Sequence, residues 1–125
     1  MKSIKLNLNI NELYILNDFV NSIIQKQDYH VELIVEEIFT NIVSYSNSDY
    51  IHITASFNNP QFEIEFIDNG IPFNILLKKD PELPDNMDDA EIGGLGIFLT
   101  KQMADKIIYK YENNENHLKI IKNVE

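Results

Sequence analysis

A chain of 125 residues, 44% apolar and 24% charged, has the size and make-up of one folded domain, which excludes a disordered or fibrous class. It has no cysteine, which excludes disulfides, thiolate metal sites and cysteine nucleophiles. A formal charge of −10, with ten lysines and no arginine, disfavours duplex DNA and anionic lipid as partners because no local basic patch offsets it.

No apolar run approaches the roughly 20 residues of a membrane span. The opening "MKSIKLNLNI" alternates polar and apolar residues, unlike the continuous apolar block of a signal peptide. A cytoplasmic protein is expected. Residues 3–9 carry a period of two and predict a strand. Asn11 is the expected cap of a helix that places Leu13, Leu16, Val20, Ile23 and Ile24 on one face. Asp28 is a second expected cap. The helix after it runs to about Ser46, with Val31, Ile34, Val35, Ile38, Ile42 and Tyr45 as its buried stripe.

"YIHITASF" and "QFEIEFID" are strands joined by "NNP", a hairpin signal. Residues 69–92 show no periodicity and contain three prolines and six acids between Asp80 and Glu91. A stretch this long without structure is either a functional lid, placed at about 72–92, or a misassigned segment. A helix follows from about Leu95 to Asp105. "KIIYKY" and "HLKIIK" then pair across "ENNEN". Strands joined by hairpins and three helices predict an α+β fold. It is a two-layer α/β sandwich with a mostly antiparallel sheet and helices on one face, forming one domain over 1–125. The glycines of "GGLG" therefore belong neither to a parallel dinucleotide-binding sheet nor to a P-loop.

Three clusters carry candidate chemistry. Glu37 and Asn41 lie one helical turn apart at the edge of the apolar stripe. An amide oxygen there suits Mg²⁺, and a carboxylate suits orienting or deprotonating a hydroxyl. Alone, such a pair is ordinary helix surface. Asp68 ends a strand and is followed by Gly70 in "DNGIPF". The acid would accept from an exocyclic amine such as adenine N6, and glycine would admit a flat base; a plain Asx turn has the same look. "GGLGIFLTKQMAD" supplies Gly93, Gly94 and Gly96 at a helix opening. There glycine allows unusual dihedrals and leaves N–H groups for phosphate, or serves only as a hinge. His30, His52 and His117 have no ligand spacing, and the aromatic residues form no stacking platform for nucleic acid.

Taken in order, these clusters resemble the GHKL ATPase superfamily. Within it, the chain is similar to the stand-alone bacterial anti-sigma-factor serine/threonine kinases and their ATP-binding relatives. The resemblance is densest over 31–46, 68–73 and 92–105. It implies a Bergerat-type fold with a mixed sheet, and ATP and Mg²⁺ as cofactors. It further implies Glu37 as the catalytic carboxylate, Asn41 as the Mg²⁺ ligand, Asp68 as the adenine-reading acid and Gly70 as the turn below the base. Gly93, Gly94 and Gly96 would wrap the phosphates, and Lys101 or a lid lysine would serve the γ-phosphate. The implied function is phosphorylation of a serine or threonine on a small antagonist protein, with a sigma factor as second partner and a homodimer as a weaker expectation. A nucleotide-driven switch without transfer and a histidine-kinase domain acting in trans are the competing readings.

Overall fold

The computed structural model describes residues 1–77 and 92–124. In chain order the regular elements are β1 (Lys2–Leu6), α1 (Leu13–Ile24), α2 (Tyr29–Tyr45), β2 (Ile51–Asn58), β3 (Gln61–Asp68), α3 (Ile92–Met103), β4 (Lys106–Glu112) and β5 (Glu115–Asn123). The strands form one sheet in the order β1-β2-β3-β5-β4, and all its pairings are antiparallel. The sheet is therefore not mixed. The α+β class holds, with the helices on one face.

That arrangement follows from the alternation of the strands. Ile51, Ile53 and Ala55 of β2, Phe62, Ile64 and Phe66 of β3, and Leu118 and Ile120 of β5 are all buried on one side. They share a core with Leu16, Val20 and Ile24 of α1 and Val31, Ile34, Val35, Ile38 and Phe39 of α2. The opposite side carries His52, Thr54, Glu63, Glu65, His117 and Lys119, and it is only partly accessible or exposed.

Local signals set most boundaries. Asp28 caps α2, its carboxylate accepting from Val31 N–H at 3.0 Å. The final hairpin turns at Asn113 and Asn114, both with positive φ, a conformation asparagine tolerates and two-residue hairpin turns require. Four expectations need correction. The first strand ends at Leu6, not residue 9. Asn11 is not a cap: Asn9 Oδ1 accepts from Asn11 N–H and starts a 3-10 turn ahead of α1. Helix α3 opens at Ile92, three residues early, so Gly93, Gly94 and Gly96 lie inside it. Tyr45 is 62% exposed and leaves the buried stripe, lining the cavity described below rather than the core. Of the lid expected over 72–92, residues 78–91 lie outside the described residues; within it, Ile75–Leu77 form a 3-10 turn and Ile92 opens α3.

One row crosses the whole sheet. Leu6, Ile51, Asp68, Asn116 and Tyr111 face one another across all five strands. Asp68 and Asn116 thus place two buried polar side chains at the end of an otherwise apolar face.

Candidate functional site

A cavity opens where that row meets α2. Ile38, Ile42, Ile71, Phe73, Ile75 and Leu118 supply its apolar walls; Asn41, Asp68, Tyr109 and Asn116 supply its polar groups. Asp68 is 4% exposed. Its Oδ1 accepts from Ser48 Oγ–H at 2.8 Å, Gly70 N–H at 2.9 Å and the Asn116 amide at 3.1 Å. Among the described residues all of these bonds end on Oδ1, which leaves Oδ2 for a donor entering the cavity. A buried carboxylate in this position favours an amine or N–H over any acceptor.

The turn after Asp68 is tied down from both sides. Asn69 Oδ1 accepts from Asp49 N–H at 2.8 Å, and Asn69 Nδ2–H donates to Asp49 Oδ2 at 3.1 Å. Ile71 N–H donates to Ser46 O at 2.9 Å. Gly70 is buried beneath this contact, and a Cβ there would strike the Ser46 carbonyl. Its close approach is therefore to the end of α2.

Asn41 lines the cavity one turn from Glu37. Its Nδ2–H donates to Glu37 O at 2.7 Å, so its Oδ1 is the atom presented to a ligand. That oxygen would suit a hard cation such as Mg²⁺. Among the described residues no group of three His, Asp or Glu side chains could hold a metal.

Glu37 stands apart from the cavity lining. It is half-buried against α3, where Gly96 faces it; a Cβ on Gly96 would collide with Glu37 Oε2. Burial first and the neighbouring Glu36 charge second push the Glu37 carboxyl above its ordinary pKa of 4.5. Within α3 the Thr100 hydroxyl donates to Gly96 O at 3.0 Å. No described glycine has a positive φ, so the glycines of α3 are not there for unusual dihedrals. Gly96 is there to let two helices and a carboxylate meet. Lys101 lies half-buried in the last turn of α3 and does not line the cavity.

Sequence reasoning misses Asn116. Its place in "ENNEN" reads as a loop, and only the pairing of β5 with β3 puts it beside Asp68.

A helix-borne amide, a strand-end carboxylate and apolar walls gather on one face of the antiparallel sheet of this α+β domain. The chain belongs to the histidine kinase-like ATPase domain family, whose model matches residues 16–122. It is similar to the serine/threonine-protein kinase BtrW of Bordetella bronchiseptica, at 27% identity over 94 residues covering 72% of this chain and 66% of that protein. It thus spans just under two thirds of that relative's length. Its fold is similar to the nucleotide-free catalytic domain of the histidine kinase ThkA, with a TM-score of 0.58 at 16% identity, covering 98% of this chain and 97% of that one. It is also similar to the histidine kinase domain of a blue-light activated kinase from Erythrobacter litoralis, with a TM-score of 0.51 at 15% identity, covering 95% and 62%. Among the described residues no helix is long and apolar enough to cross a membrane.

Proposed function

We propose that the protein is a Mg·ATP-dependent serine/threonine kinase that phosphorylates a small antagonist protein and acts as an anti-sigma-factor-type regulator. The observation that carries the nucleotide part is Asp68, with Oδ1 saturated and Oδ2 left for an amine inside an apolar cavity. Adenine offers such an amine beside a flat apolar ring. The residues present fit the cation as well, through Asn41 Oδ1. Mg²⁺, when bound, neutralises charge on the phosphates.

Glu37 is the base or positioner for the acceptor hydroxyl. Its raised pKa makes it a better proton acceptor than an ordinary carboxylate. Transfer breaks the bond from the γ-phosphorus to its bridging oxygen and forms one to the acceptor oxygen, whose proton passes to Glu37. The name of the Bordetella relative supports the serine/threonine assignment. The kinase reading requires Glu37→Ala to abolish transfer and leave nucleotide binding intact.

A specific observation favours a second reading. Glu37 packs on Gly96 and does not line the cavity. On that reading the chain binds ATP or ADP and switches a partner without efficient transfer.

The first test is calorimetry with ADP and ATP, with and without Mg²⁺, on wild type and Asp68→Asn. We expect Mg²⁺-dependent binding that weakens at least about tenfold in the variant, since a buried charge-assisted bond is lost. Absence of binding in wild type sinks the nucleotide reading. The linkage in any labelled partner then separates the kinases: phosphoserine and phosphothreonine survive acid, phosphohistidine does not.

A further inference from the structure

Asn116 is 5% exposed and stands opposite Asp68 in the pairing of β3 with β5. Its amide nitrogen donates to Asp68 Oδ1 at 3.1 Å, to Ile71 O at 2.8 Å and, at the limit of reach, to Gly70 O at 3.5 Å. Its amide oxygen accepts from Phe73 N–H at 3.0 Å and Tyr109 O–H at 2.5 Å. These partners fix which end is which. A carboxylate and two carbonyls only accept, and a backbone N–H only donates, so an exchanged amide would oppose them.

An amide used at both ends has no capacity left for a ligand. It acts as a clamp with two arms. One arm reaches the carboxylate. The other holds the segment 70–75, which supplies three walls of the cavity and also the Gly70 N–H that bonds Asp68. Removing the clamp therefore loosens two of the donors on Oδ1.

We propose that Asn116 is a positioning residue that makes the site selective for a 6-amino over a 6-keto purine. The inference rests on the nucleotide reading above. With Oδ1 pinned, Oδ2 meets a donor at that edge of the base and faces an acceptor without relief, because the carboxylate cannot turn away. A merely structural role predicts something different: loosened walls weaken every purine alike.

The test is titration of ADP and inosine diphosphate, which carries a keto oxygen in place of the amine, on wild type, Asn116→Ala and Tyr109→Phe. We expect wild type to prefer ADP by at least about a hundredfold. In Asn116→Ala that preference falls about tenfold or more, with ADP losing more affinity than inosine diphosphate. A preference unchanged within about twofold, with both ligands weakened together, overturns the proposal. If Asn116→Ala does not fold, Tyr109→Phe decides, since it removes one donor from the amide oxygen and spares the packing. A preference lowered about threefold supports the proposal and an unchanged one overturns it. Wild type that binds no ADP overturns the nucleotide reading itself; wild type that binds ADP normally confines any failure to Asn116.

Discussion

Glu37 and Asn41 share a helix face but not an environment. Asn41 lines the cavity, whereas Glu37 is held against α3 with its carboxyl pKa raised above 4.5 by burial and by Glu36. The folded chain therefore grips that proton more tightly than the unfolded chain does. The resulting stabilisation is complete below the unfolded pKa and is lost as pH climbs through the raised folded value. Glu37→Gln has no such loss. Its melting temperature relative to wild type is expected to rise between about pH 4 and about pH 8. Thermal melts across that range check this, and a flat difference would mean that burial of Glu37 is not felt energetically. At this scale spacing and a strand end marked Asn41 and Asp68 as candidates, and both line the cavity, whereas Glu37, marked with Asn41, lies off it. The sequence hid Asn116, because a polar residue in a run of asparagines and glutamates has no local mark of burial. Only register across β3 and β5 supplies that.

Two glycines test how the elements meet. Both sit where a Cβ would collide, but with different partners: at Gly70 the Ser46 backbone carbonyl, at Gly96 the mobile end of Glu37. Backbone cannot step aside, so Gly70→Ala is expected to cost roughly 1–3 kcal/mol. Inside α3, alanine is favoured over glycine by about 0.5–1 kcal/mol, which offsets the displacement of a flexible side chain. Gly96→Ala is therefore expected to keep its stability within about 1 kcal/mol and, on the kinase reading, to lose transfer, because Glu37 is turned out of place. Urea unfolding and a phosphorylation assay on both variants separate the two costs; a Gly96→Ala protein that transfers normally would remove Glu37 from the mechanism. The amphipathic stripe of α2 and the "NNP" hairpin were legible because period and turn chemistry are local. The opening of α3 was not. Three glycines argue against a helix on propensity alone, and the packing of Gly96 on α2 outweighs that preference.

Across the whole molecule the formal charge of −10 opposes an anionic nucleotide. Added monovalent salt screens that repulsion, so ADP association is expected to speed up between about 10 and about 150 mM ionic strength. Stopped-flow mixing reads this directly, and a rate that falls with salt would mean that the local field of the cavity dominates the global one. Fold class was legible from element order, because hairpin-linked strands leave few ways to build a two-layer sandwich. The strand order was not, since nothing local tells β5 to insert between β3 and β4. Ile38, Ile75 and Leu118 belong both to the cavity wall and to the hydrophobic core. On the nucleotide reading, a base lodged among them would act as a detachable core side chain. Nucleotide at a hundred times its Kd would add about 2.7 kcal/mol to stability. Cellular nucleotide level would then set how finished the protein is, as well as what it does.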